Sequence, residues 1–171
     1  MKKSYIKVVV ALLLLLVMIV YCFPRSLDHI IQDNSRITIV YHDESYVNGR
    51  CSLATSTYEI TDESEYCLQI VDLCSKYQYH RTLLTLFQTN SMTYQTRELD
   101  YSFTIFVHRK NKLSTITLCG DGRILMDGHM YRMDFNGRKQ QTAFMKELKS
   151  FLLQNEELLQ QREEDHPSFK N

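Results

Sequence analysis

Tryptophan is absent from this chain, and proline and glycine number only 2 and 5 in 171 residues. No low-complexity tract and no fixed-period repeat appears, which excludes solenoid and linker-like architectures. Net charge is missing as well, because 20 basic residues balance 20 acidic ones. A chain without a basic excess has no electrostatic reason to bind nucleic acid. Nor is there a G-x-S-x-G, a glycine-rich phosphate loop, a C-x-x-C or an H-E-x-x-H. No catalytic residue, metal ligand set or cofactor is therefore assigned. No N-x-S/T sequon occurs either, since Asn34-Ser35-Arg36 and Asn90-Ser91-Met92 both miss it, which points to a bacterial rather than a eukaryotic surface.

One feature dominates what is present. Lys2, Lys3 and Lys7 precede an apolar run unbroken from Val8 to Phe23, about 24 Å of helix. With Lys7 snorkelling, residues 4–23 reach the roughly 20 residues that cross a hydrocarbon core. The pattern predicts an N-terminal transmembrane helix and membrane contact through residues 4–23. Val20, Tyr21, Cys22, Phe23 and Pro24 offer no small-residue cleavage site, and Tyr21 before Cys22 departs from a lipobox. An uncleaved signal anchor is the expectation. The lysines put the N-terminus in the cytoplasm and the remainder outside, a single-pass cell-membrane location. Without Lys2, Lys3 and Lys7 the balance leaves the remainder at about −3.

About 148 residues follow the run, the size of one domain. The expected division is 1–23 as basic tip and anchor, 24–35 as stalk, 36–162 as an extracytoplasmic domain, and 163–171 as a flexible acidic tail. Cys51, Cys67, Cys74 and Cys119 lie in the outer part and are candidates for disulfides in an oxidising compartment. Cys67 and Cys74 would sit two helical turns apart, about 10 Å, and so would not pair with each other. The alternative is that all four are small buried hydrophobes.

Along the chain, Arg36 to His42 reads as a first strand, Asp43 to Arg50 as a loop with the Asn48-Gly49 turn signal, and Cys51 to Ile60 as a second strand. A helix follows, capped by Thr61 or Asp62 with Glu65 as a capping-box partner and Ile60 as staple. Its apolar stripe is Tyr66, Ile70, Leu73 and Tyr77. Tyr101 to Val107 and Leu113 to Leu118 alternate as strands, and Asp121-Gly122 and Asp127-Gly128 are hairpin turns around Arg123 to Met126. His129 to Phe135 is another strand, and Lys139 to about Arg162 an amphipathic helix with Phe144, Leu148, Phe151, Leu152 and Leu159 on one face. The fold class is α+β: an antiparallel β-sheet domain carrying one internal and one C-terminal helix, behind the transmembrane helix.

Local constellations are few. His42, Asp43 and Glu44 fit no ligand spacing, Cys119 with His129 would be half a zinc site at most, and Asp121 and Asp127 belong to turn chemistry rather than a calcium loop. Tyr77, Tyr79, His80 and Arg81 form the densest aromatic and polar cluster, of the composition enriched on binding surfaces.

The basic N-terminus and single apolar run, the Ile37-Thr38-Ile39 strand, the short capped helix and the Thr115–Arg132 block with its two D-G turns together resemble an uncharacterised class of domains. These are the extracytoplasmic domains of membrane-anchored Gram-positive bacterial proteins. The resemblance implies location and architecture, and no catalytic residues come with it.

The functional expectation is a non-enzymatic binding or interaction module of the cell envelope, with an envelope protein or peptide as partner. The alternative is a thiol-dependent envelope enzyme that pairs one of Cys51, Cys67, Cys74 or Cys119 with His42, His80, His108 or His129. A third reading has Leu158 and Leu159 mediating self-association.

Overall fold

The computed structural model describes residues 2–31, 35–47, 50–62, 64–81, 99–110, 112–134 and 138–164. In chain order the elements are α1 (Lys2–Cys22), β1 (Arg25–Ser26), β2 (Arg36–Val47), β3 (Arg50–Ile60), α2 (Glu65–Ser75) and β4 (Gln78–Tyr79). There follow β5 (Tyr101–Arg109), β6 (Lys112–Leu118), β7 (Ile124–Met126), β8 (His129–Tyr131), α3 (Lys139–Gln154) and β9 (Leu159–Glu164). Seven strands form one antiparallel sheet in the order β8-β7-β6-β5-β2-β3-β9, and β1 pairs with β4 in a separate two-stranded piece. The fold is α+β.

Period-two alternation builds the sheet. On β2, Ile37, Ile39 and Tyr41 are buried, whereas Arg36, Thr38 and Val40 turn to the other face. Register sets Ile39 between Tyr58 and Ile105, and Ile37 between Ile60 and Val107. Ile105 in turn meets Ile116, and Phe103 meets Leu118. Helical spacing covers this face, with Cys67, Ile70, Leu73 and Cys74 from α2 and Phe144, Met145, Leu148 and Leu152 from α3 in one continuous core.

Polar contacts hold the ends. Ser64 caps α2 by accepting from the Cys67 amide at 3.2 Å, in place of the Thr61 or Asp62 cap read from the sequence. The Asp134 carboxylate accepts from the Gln140 amide at 3.0 Å, a negative charge at the amino end of α3. Buried Gln141 donates to the carbonyls of Cys119 at 2.8 Å and Arg123 at 3.2 Å, tying α3 to the turn after β6. Asp127 and Gly128 both have positive φ, 47° and 80°, as the two-residue D-G hairpin between β7 and β8 requires.

Several expectations are corrected. No helix among the described residues is long and apolar enough to cross a membrane. The transmembrane span, the signal anchor and the single-pass location are withdrawn on that finding. The carboxyl end of α1 meets the domain instead, where the Arg81 guanidinium lies 5.2 Å from the Tyr21 ring centroid, a charge that a hydrocarbon core would not hold. Tyr21 and Cys22, at that end, are half-buried. The stretch read as a stalk belongs to the domain, because Leu27 and Ile31 are core residues and Arg109 donates to the carbonyls of His29 and Ile30. His42, Asp43 and Glu44 lie on β2, which runs on to Val47 opposite Arg50 of β3; the Asn48-Gly49 turn signal lies outside the described residues.

The last helix stops at Gln154 rather than near Arg162. Asn155 leaves the helical region at φ −121° and ψ 61°, and its side chain satisfies the Phe151 carbonyl at 2.7 Å. The chain then gains ladder hydrogen bonds as β9 along β3, so Glu163 and Glu164 extend a strand rather than opening a tail. Leu158 is buried and Leu159 packs half-buried against the core, which removes the surface expected for self-association.

Phe144 is wholly buried and packs against Tyr77 with the rings tilted and their centroids 5.0 Å apart. Phe144→Ala is expected to cost about 3–5 kcal/mol of stability, read as a shifted urea midpoint with an unchanged slope.

Candidate functional site

Two short pairings assemble the site. Arg25 of β1 lies opposite Tyr79 of β4. One residue further on, His80 and Arg132 exchange backbone hydrogen bonds of 2.8 and 3.0 Å, which brings Arg81 beside the end of β8. The carboxyl end of α1 arrives at the same place. The result is a cleft of about 410 Å³, with Leu16, Val17, Val20 and Tyr21 of α1 on one wall and Tyr79, His80, Arg81 and Tyr131 on the other. Phe23 and Arg25 complete its lining.

Arg81 is the centre of this arrangement. Its Nη2 donates to the Tyr131 hydroxyl at 2.8 Å. Its guanidinium lies 4.9 Å from the Tyr131 ring centroid and 5.2 Å from that of Tyr21, within cation–π range of both. Tyr79 meets Tyr131 edge to face at 5.2 Å. No ion pair joins Arg25 or Arg81 to a carboxylate among the described residues. His80 is buried, and burial lowers its pKa, with the Arg132 charge adding to the shift and the Asp134 charge opposing it. Its neutral form is the one the site favours.

The four residues of the aromatic cluster thus divide. Tyr79, His80 and Arg81 line the cleft, whereas Tyr77 turns into the core and donates to Glu147 at 2.8 Å. Burial, helped by that carboxylate, pushes the Tyr77 hydroxyl up to about 12. Sequence reasoning missed Tyr21, Phe23, Arg25 and Tyr131. The first three were read as the end of a membrane span and its flank, and Tyr131 as an ordinary strand residue. Two-residue strands leave no periodic signal by which their pairing could be read.

Cys67, Cys74 and Cys119, candidates for disulfides, form none with one another, and the Cys51 side chain lies outside those described. Cys67 is buried with its Sγ against the Ser35 carbonyl at 3.5 Å. Burial, followed by the charge of Asp28, pushes the Cys74 thiol far up. His42 and His108 pair with Thr55 at 3.2 Å and Thr38 at 3.4 Å, on the sheet face opposite the one that α2 covers. Cys119 and His129 sit at opposite ends of β7. Asp121 is engaged by Arg123, Asp127 by the Thr115 amide at 2.8 Å, and Asp43 by Lys149 at 3.8 Å. No group of three or more His, Cys, Asp or Glu that could hold a metal occurs among the described residues.

Compared with family models, with curated proteins and with solved structures, the chain matches none. The likeness to Gram-positive extracytoplasmic domains rests on the sequence pattern alone.

Two outcomes follow from this geometry. Under native conditions Cys67 and Cys74 are expected to resist iodoacetamide, becoming reactive only in denaturant, while half-buried Cys119 reacts sooner; mass spectrometry of the modified peptides reads the order. The second concerns pH. Because folding raises the Tyr77 pKa from 10.0 to about 12, its contribution to stability is complete below about pH 10 and lost as pH climbs through about 12. Tyr77→Phe should flatten that part of the alkaline stability profile relative to wild type, as read from urea midpoints across pH.

Proposed function

We propose that the protein is a non-enzymatic binding module that takes its ligand in the Arg81 cleft. The observation that carries this reading is a guanidinium within cation–π range of both Tyr21 and Tyr131, with no carboxylate partner among the described residues, in a cleft open to a small ligand. Tyrosine and arginine supply rigid contact area and fixed donors at little entropic cost, the composition of binding hot spots. An uncompensated cation among aromatic rings favours an anionic guest. The thiol-enzyme alternative draws no support from Cys67 and Cys74, which are buried and face away from His42 and His108.

Benzoate, a planar anion on an aromatic body, is a suitable first probe. Titrated into the full chain and followed by the side-chain NMR signals of Arg81 and Tyr131, it is expected to bind saturably. Arg81→Gln should weaken it about tenfold, the scale of one charge-assisted hydrogen bond. Lys149→Gln removes a different cation stacked on tyrosines, 4.5 Å from the Tyr101 ring, and should leave binding unchanged. Equal losses in both variants, or none in either, would overturn the reading.

A further inference from the structure

We infer that the cleft accepts an anionic amphiphile, a long-chain carboxylate of the fatty-acid class, with its head on Arg81 and Arg25 and its tail along α1. This rests on the cleft being the recognition site, and adds to it the class of ligand.

The lining is asymmetric along one direction. Arg81 is fixed beside Tyr21, at the carboxyl end of α1, and Arg25 enters four residues later on β1. Leu16, Val17 and Val20 line the same cleft from earlier in the helix. At about 1.5 Å of rise per residue, Leu16 lies about 7.5 Å along the axis from Tyr21. Cationic and hydroxyl groups therefore gather at one end, and aliphatic side chains continue away from it. That aliphatic wall does not stop at the cleft. It runs on into exposed residues of α1, including Leu12 at 60% and Leu13 at 56% exposure.

A small aromatic acid would use the charged end and leave the aliphatic wall in water. A neutral hydrocarbon would cover the wall and leave the guanidiniums without an anion. A carboxylate with a long alkyl tail satisfies both, since a guanidinium fork matches a planar carboxylate and each buried methylene adds its own increment. Arg81 hydrogen-bonds Tyr131 and Tyr21, and of the five donors on its fork it retains others for such a head. Charge complementarity thus selects this occupant for an otherwise apolar groove.

The test compares laurate, lauryl alcohol and acetate on the full chain, each below the concentration at which it self-associates, using the Arg81 and Tyr131 NMR signals. Laurate is expected to bind at least tenfold more tightly than either of the others. Arg81→Gln, and independently Arg25→Gln, should weaken laurate severalfold without changing lauryl alcohol. Leu12→Asn, on the aliphatic wall beyond the cleft lining, should weaken laurate and leave benzoate unchanged.

Lauryl alcohol binding as tightly as laurate, or laurate binding indifferent to both arginine variants, would overturn the inference, because the tail alone would then drive association. If benzoate responds to Arg81→Gln while laurate binds no better than acetate, the amphiphile assignment falls and the cleft remains a site for a smaller anion. If neither benzoate nor laurate responds to Arg81→Gln, both readings fall together.

Discussion

The alternation of β2 is the constraint on which the other elements depend. This strand pairs on both sides, with β3 and with β5, and its buried residues Ile37, Ile39 and Tyr41 bring the apolar faces of both neighbours into one layer. A slip of one residue in either pairing would turn Ile37 and Ile39 to the face that carries Arg36, Thr38 and Val40. It would also misplace the Arg36–Glu59 ion pair and the aromatic group of Tyr41, Tyr101 and Phe103, which occupies the far end of the same strands. Register is therefore over-determined: core burial, the ion pair and ring stacking all require the same alignment. The helices then have a single apolar surface to cover, and the stripes of α2 and α3 match it.

The candidate site is a by-product of how this layer closes at one end. β1 and β4 are two residues each, far below what an isolated hairpin needs to persist in water. They are held by their surroundings. Leu27 and Ile31 anchor the chain after β1 in the core, Arg109 fastens the carbonyls of His29 and Ile30, and the His80–Arg132 bridge joins the end of β4 to the end of β8. Arg81 follows immediately, so its position is inherited from a backbone pairing rather than from its own side chain. A cation placed in this way can use part of its fork on the neighbouring tyrosines and keep the remaining donors for a guest.

What was legible in the sequence follows from the range over which each signal acts. The alternation of Tyr101–Val107 and Leu113–Leu118, the two D-G turns and the stripe of the internal helix are local patterns, and the elements stand where they indicated. The helix cap and the helix end were misread because competing local partners exist. Ser64 accepts from the Cys67 amide two residues beyond Asp62, and Asn155 redirects a chain whose leucines continue the apolar pattern. The apolar run of α1 carried the strongest signal and led furthest astray. Hydropathy alone does not register that the carboxyl end of the run meets the domain, where Tyr21 lies against the Arg81 guanidinium. Half of the aromatic cluster's meaning was likewise out of reach. Tyr77 and Tyr79 are neighbours in sequence, yet one closes the core against Phe144 and the other lines the cleft.

Burial acts in one direction on the ionisable groups near the core, and this bears on the kind of chemistry the protein can support. It raises the hydroxyls of Tyr77 and Tyr79, raises the thiol of Cys74 and lowers the imidazolium of His80. Each shift favours the neutral form near pH 7. In the cleft, phenols and a buried imidazole held toward their neutral forms stand beside permanent guanidinium charges. The cleft retains a fixed positive field, rigid aromatic walls and an aliphatic approach along α1. Those are features suited to holding an anion, and they are what the proposed anion site draws on.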